Sequence, residues 1–442
     1  MTPELQSLFS FLRFASVSTD PSRRDDTRAA AGWLAEKLKS LGLDTSLRET
    51  AGHPVVLAKN AHVPGRRTVL LYGHYDVQPA DPVSEWRTPP FEPTLSDGRI
   101  WCRGATDNKG QLIAHVCGLE HFLRDHGSLP VNLICLFEGE EEIGSPNLKP
   151  FLLAHQEELK CDVVAISDTG MVAPGIGTFT YSLRGIACCE VIVRGPSIDL
   201  HSGIWGGAVA NPATMVARLI STLHDDEGRI RVPGFSDAVR PLAEWERESW
   251  RKLGNTEVET LELTGASELF GDPAYSELER RWARPTAEVN GIGGGYQGEG
   301  SKTVIPREAF AKFSFRLVPD QEPQKILQLV EAHFKAHAPR GVTVQVKPGH
   351  TGMPYLMDPA SPLGLAAQRT LEKTFGGPPA LIREGGSIPI VQAFRDVLGV
   401  DTLLLGLALP DCQAHAPNEN FPVENFEAGI RLHGNLLREL SL

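Results

Sequence analysis

Positive charge is in short supply in this 442-residue sequence: 43 Lys and Arg stand against 55 Asp and Glu, a formal net charge of −12. That balance removes nucleic acid as a default partner. No run of 18 or more apolar residues occurs, so no membrane-spanning helix is expected. The opening MTPELQSLFSFLRFASVSTD lacks a basic start followed by an apolar stretch, so no signal peptide is expected. Cysteine is sparse, with 7 residues, one adjacent pair (Cys188, Cys189) and no Cys-x-x-Cys. A scattered, odd set argues against a disulfide framework and reads as reduced thiols of a cytoplasmic protein. Internal repeats and low-complexity segments are also missing. What remains, 41% hydrophobic and 22% charged, describes a globular chain long enough for two domains.

The first 180 or so residues alternate two periodicities. DTRAAAGWLAEKLKSLG places Ala30, Trp33, Leu34, Leu38 and Leu41 on one helical face and ends at Gly42, a C-cap signal. RTVLLYG, VNLICLFEG and CDVVAISD are short β-branched apolar runs, and the helical KGQLIAHVCGLEHFLRDHG lies between the first two. Strands separated by helices predict an α/β sheet with substantial parallel pairing. The pattern changes near Tyr181: strand-like GIACCEVIVRG, helical NPATMVARLISTLHD, a charged helical region over 235–285, then the strands EAFAKFSFRLVP and VTVQVKPG. A second α+β domain, residues 181–353, is therefore expected inside a first made of 1–180 and 354–442. Glycine-rich GIGGGYQGEG (291–300) reads as a flexible substrate loop, with a structural hairpin as the alternative.

Acids and imidazoles collect where the apolar strands end. His74 and Asp76 follow the first strand, Glu140, Glu141 and Glu142 the second, and Asp168 the third. Asp107 sits in a Gly-flanked loop before a helix, and His415 follows the apolar DTLLLGLAL. Each piece alone has a plain reading: a polar pair, a solvated acidic loop, a helix cap. Jointly they point to one site, because ligands of parallel α/β sheets bind beyond the carboxyl ends of strands. A set of His, Asp and Glu without Cys suits zinc or a harder divalent ion such as manganese. Two ions in one cleft require a bridging carboxylate, and an unliganded glutamate beside them can serve as general base.

Nine motifs in order, GHYDVQP, RGATDNKGQ, FEGEEEIGS, SDTG, DLHSGIWGG, KTVIP, FRLVP, REGGSIP and AHAPNEN, span about residues 70–420. Together they resemble the M20 family of dinuclear metallopeptidases, in its cytosolic non-specific dipeptidase and carnosinase branch. The resemblance implies a split α/β catalytic domain with a mixed, largely parallel sheet flanked by helices, and an inserted α+β domain acting as lid and dimerisation unit. It implies two divalent ions, zinc first and manganese second, with Asp107 bridging, His74 and Asp168 on one ion, and Glu142 and His415 on the other. Glu141 matches the general base acting on a metal-bridging water, and Asp76 the acid that orients His74. Glu140 matches no role.

The same resemblance implies that His201 reaches a partner subunit's site, so a homodimer is expected. Arg316 would bind a substrate carboxylate with its planar fork, beside contacts from Thr303 and Ser387. The expected reaction is hydrolysis of dipeptides or short peptides with release of a C-terminal amino acid. N-acyl-amino-acid hydrolysis by the same machinery, and a non-catalytic scaffold of the same fold, are the alternatives. One departure stands out: CQAHAPNEN lacks the serines that typically flank the histidine in the dipeptidase branch.

Overall fold

The computed structural model describes residues 1–254, 256–386 and 388–442. The chain divides into two compact units, one comprising Met1–Tyr181, Met357–Ile382 and Pro389–Leu442, the other Ser182–Leu356 and Arg383–Ile388.

The first unit is built on a mixed sheet. Its strands run in the order Asp44–Arg48, Val55–Lys59, Asn132–Glu138, Thr68–His74, Val163–Ile166, Thr402–Gly406 and Thr178–Leu183, with Ala380–Glu384 also on the last. Asn132–Glu138, Thr68–His74, Val163–Ile166 and Thr402–Gly406 are mutually parallel, while Asp44–Arg48 with Val55–Lys59, Val55–Lys59 with Asn132–Glu138, and Thr402–Gly406 with Thr178–Leu183 pair antiparallel. Parallel strands need both faces covered, and residues 69–74 are accordingly all buried. Helix Arg24–Ser40 buries Ala30, Ala31, Leu34 and Leu38 and passes into Gly42 at φ +84°. Each such leucine contributes about 2 kcal/mol by leaving water.

Helices Lys109–His126 and Val423–Leu440 lie close together: a Cβ on Gly118 would stand 2.6 Å from the carbonyl oxygen of Ile430 and from the Cβ of His433. At the start of Lys109–His126, Asn108 occupies the cap position yet makes no capping bond with its side chain. Its amide is used elsewhere, as described below. A small three-stranded sheet, Thr94–Ser96, Arg99–Trp101 and Asn420–Pro422, brings the chain after His415 back to the segment before Asp107.

The second unit carries an antiparallel four-stranded sheet in the order Thr286–Gly294, Glu308–Leu317, Gly185–Arg194 and Thr343–Gly352. Alternation is clear in Glu308–Leu317, where Ala309, Ala311, Phe313, Phe315 and Leu317 are buried. They share a core with Val216, Leu219, Ile326, Val330 and Phe334 from helices Pro212–Ile220 and Pro323–Ala336. Period two then puts Lys312, Ser314 and Arg316 on the opposite face. The glycine-rich stretch departs from the flexible-loop expectation at its start: Gly291–Gly294 continues the strand, opposite Lys312 to Ala309. A register shift between Val289 and Gly291 marks a bulge. No helix among the described residues is long and apolar enough to cross a membrane.

Candidate metal centre

The parallel centre of the first sheet sets the site's position. His74 closes its strand and stands in register with Glu138, the last residue of the neighbouring strand. Asp168 follows Val163–Ile166, and Asp107 immediately precedes Asn108 and the helix Lys109–His126.

The Asp107 carboxylate is the focus. One oxygen, Oδ1, lies 3.2 Å from His74 Nε2, and the other, Oδ2, lies 2.9 Å from His415 Nε2. His74 Nε2 also faces Asp168 Oδ2 at 3.7 Å, and His415 Nε2 faces Glu142 Oε2 at 3.2 Å. The ligand atoms of His74, Asp107 and Glu142 all fall within 4.8 Å of one another. This donor set fits divalent cations: it is nitrogen and oxygen throughout, and Glu142 Oε1 is buried without a hydrogen-bond partner. His415 reaches in from the surface on a left-handed backbone at φ +62°, uncommon without glycine.

Neighbouring groups hold these side chains. Asp76, fully buried, accepts the backbone N–H of Glu141 on Oδ1 at 3.2 Å and that of Glu142 on Oδ2 at 3.1 Å. Its Oδ1 also lies 3.3 Å from His74 Nδ1. One carboxylate therefore ties the imidazole to the acidic turn. The Asn108 amide donates to Asp168 Oδ1 at 2.9 Å and to the Ser167 carbonyl at 2.6 Å. Gln78 donates to Glu142 Oε2 at 2.8 Å.

Burial sorts the acidic run that the sequence left as one motif. Glu138 accepts from Tyr72 and Ser145 at 2.6 and 2.7 Å. Burial pushes its carboxyl up to about 7. Glu140, without a role in the sequence reading, is buried and accepts from Asn147 Nδ2 at 2.8 Å and the His53 N–H at 3.0 Å. It anchors the 50–53 turn and stands apart from the donor set.

Electrostatics describe a site that attracts cations. Burial raises Glu141 well above the usual carboxylate range, against the pull of His74, and Asp168, Asp107 and Glu142 push it further. Glu142 and Asp168 are also raised by burial. Burial acts the same way on Asp107, but hydrogen bonds with His415 and His74 outweigh it and hold that carboxyl low. Bonds to Asp107 and Glu142 lift His415 to about 10. A field that binds protons this strongly on imidazole also stabilises a divalent ion.

The second unit holds other residues the sequence singled out. His201 and Thr303 come together on a short antiparallel ribbon, where His201 pairs with Val304 and the Ser202 N–H donates to the Thr303 carbonyl at 3.0 Å. His201 is exposed, and its Nδ1 accepts the Gly203 N–H at 3.0 Å. The neutral ring therefore carries its proton on Nε2. Arg316 lies on the sheet strand Glu308–Leu317, opposite Thr286 and Ile186. Its charge adds to burial in lowering the neighbouring Arg184 to about 10. Ser387 lies outside the described residues.

Sequence reading missed one buried group altogether. Glu419 stands inside the AHAPNEN motif, and its carboxylate meets the backbone of the Asp107 loop. A lone glutamate in a polar stretch carries no signal that separates a buried anchor from a solvated surface acid.

Comparison with known proteins gives a consistent result. The family model for peptidase family M20/M25/M40 matches residues 70–439. A Cys-Gly metallodipeptidase of Candida albicans is 35% identical, over 98% of this chain and 93% of the relative. Among solved structures, an M20 family metallo-carboxypeptidase from Sulfolobus solfataricus has a TM-score of 0.87 at 36% identity and covers 100% of both chains. Human carnosine dipeptidase 1 has a TM-score of 0.84 at 29% identity, covering 99% of this chain and 96% of that one.

Proposed function

This chain belongs to peptidase family M20/M25/M40 and is a metal-dependent dipeptidase, and from that premise we propose how its residues cleave a substrate. The observation that carries the reading is the Asp107 carboxylate, with one oxygen beside His74 and the other beside His415. In this reading Asp107 would be shared between two ions, with His74 and Asp168 holding one and Glu142 and His415 the other. The donors favour zinc, and manganese fits the same oxygen-rich set. Ions held there supply Lewis acidity at the scissile carbonyl and ease deprotonation of water.

Glu141 takes the proton of the attacking water and returns it to the leaving amine. Burial raises its carboxyl above the usual carboxylate range, which makes it a stronger proton acceptor than an exposed glutamate. Asp76 fixes the ring of His74 and the turn bearing Glu141. His201 presents an Nε2–H donor suited to a developing oxyanion, in the site of a partner subunit of a homodimer. Arg316 binds the substrate's terminal carboxylate, and Thr303 and Ser387 are further substrate contacts. All seven cysteines are free thiols, which supports a reducing, cytoplasmic setting.

The test restores Zn²⁺ or Mn²⁺ to metal-stripped protein and follows amino-acid release from Ala-Leu, Ala-Ala-Leu and N-acetyl-Leu in parallel. Metal-dependent cleavage of Ala-Leu with N-acetyl-Leu untouched is expected. Cleavage of N-acetyl-Leu alone would keep the machinery and overturn the peptide reading. The tripeptide separates a strict dipeptidase from an enzyme that trims longer chains, as the name of the Sulfolobus solfataricus relative describes. For the shared site, mixed His201→Ala and Glu141→Gln subunits regain activity through hybrid dimers; no regain on confirmed mixing argues for a site built within one subunit.

A further inference from the structure

We infer that Glu419 is a positioning residue for the metal centre, holding the backbone of Asp107 in place before any ion arrives. Its carboxylate is fully buried and accepts four bonds. Oε1 takes the N–H groups of Thr106 and Asp107, both at 2.9 Å, and Oε2 takes the Gly104 N–H at 3.0 Å and Arg103 Nη1 at 2.7 Å. Arg103 is itself 1% exposed, so the negative charge is neutralised inside the protein. The surrounding backbone closes the same seam: the Cys102 N–H donates to the Glu419 carbonyl at 3.1 Å, and Thr106 Oγ1 donates to the Asn420 carbonyl at 2.6 Å. Asn420 in turn pairs with Trp101 in the small sheet.

Two features make this more than a buried ion pair. One of the bonds comes from the N–H of Asp107, whose two carboxylate oxygens face different imidazoles, and the others come from residues 103, 104 and 106 of the same loop. Glu419 also lies four residues after His415, so the segment that delivers His415 is the segment that fixes Asp107. Each oxygen of Glu419 accepts two donors, which a carboxylate does and an amide does not. Replacing it by glutamine turns an N–H₂ towards Gly104 N–H or Thr106 N–H and releases one side of the loop. Asp107 would then have to be ordered by the incoming ions at the expense of their affinity.

The inference rests on Asp107 as a metal ligand, and the experiment keeps the two apart. In metal-stripped wild-type protein, hydrogen exchange of the 104–107 amides is expected to be slow; rapid exchange there overturns the role, whatever any variant does. Mn²⁺ binding is then measured by calorimetry for wild type, Glu419→Gln and Glu439→Gln. The last removes the buried carboxylate of Glu439, which lies on helix Val423–Leu440 and pairs with Arg369 and Lys373, away from the donor set. Glu419→Gln is expected to bind Mn²⁺ about 10- to 100-fold more weakly, as for other groups that orient metal ligands, while Glu439→Gln matches wild type. Unchanged Mn²⁺ affinity in Glu419→Gln overturns the positioning role alone. Absence of binding by wild type of Mn²⁺, and of Zn²⁺ measured in its place, overturns the metal reading and this role with it. Should Glu419→Gln fail to fold, the exchange measurement on wild type decides.

Discussion

The two units place their candidate residues in opposite kinds of surroundings. In the first, His74 and Asp76 are fully buried at the mouth of a parallel sheet, and both ring nitrogens of His74 and both oxygens of Asp76 have bonded neighbours. In the second, His201 stands exposed on a two-residue ribbon and Arg316, half-buried, lies on the face of an antiparallel sheet opposite its apolar core. Groups that stabilise charge during a reaction work best when fixed and desolvated. Groups that receive a ligand must be reachable and need fewer supports.

Substitutions test that contrast, beginning with the largest effect. Glu141→Gln should retain its metal content by atomic absorption and lose about 100- to 10,000-fold in kcat, the range for general base catalysis. Full turnover in that variant removes Glu141 from the role. Arg316→Met should leave kcat and Tm near wild type and raise KM for Ala-Leu about 10- to 100-fold, from loss of a charge-assisted bond. A fall in kcat with unchanged KM would move Arg316 from recognition to chemistry and break the comparison.

Buried histidines of the first unit give the next effect. His115 Nε2 meets Ser167 Oγ at 2.7 Å and its Nδ1 meets His433 Nδ1 at 3.1 Å. Burial lowers His115 to about 4 and, with the charge of His115, lowers His433 well below its ordinary value. In the unfolded chain both take up protons near 6.5, so the unfolded state binds more protons between about 4 and 6.5. Stability is therefore complete above 6.5 and falls with pH towards 4, by up to about 3 kcal/mol for His115. Thermal unfolding across that range should show the slope, and His115→Gln should flatten it; an equal slope in the variant assigns the acid sensitivity elsewhere. The smallest effect belongs to the second unit. Arg240 and Asp320 form an exposed pair, and Arg240→Gln should shift stability by no more than about 0.5 kcal/mol in denaturant melts.

Much of the frame was legible. The unbroken apolar run in RTVLLYG, the strand pattern of EAFAKFSFRLVP and period 3.6 in DTRAAAGWLAEKLKSLG mark strands and a helix that the structure contains. Local periodicity reports which face is buried, and burial is what those elements exist to achieve. Gly291–Gly294 was read otherwise, because glycine has no side chain with which to show alternation, and only pairing with Ala309 to Lys312 reveals the strand.

By itself, the sequence determined the α/β class, the membership in a metallopeptidase family and the short roll of acids and imidazoles at strand ends. Residue type and spacing suffice for the class and the roll, and the likeness of nine ordered motifs for the family. Tertiary structure alone decided how that roll is shared out: that Asp107 faces His74 with one oxygen and His415 with the other, that Glu140 anchors a turn, and that Glu419 grips the Asp107 loop across more than 300 residues of chain. The physical reason is that a carboxylate's role depends on what it touches and how much water it keeps. Neither quantity is local in sequence.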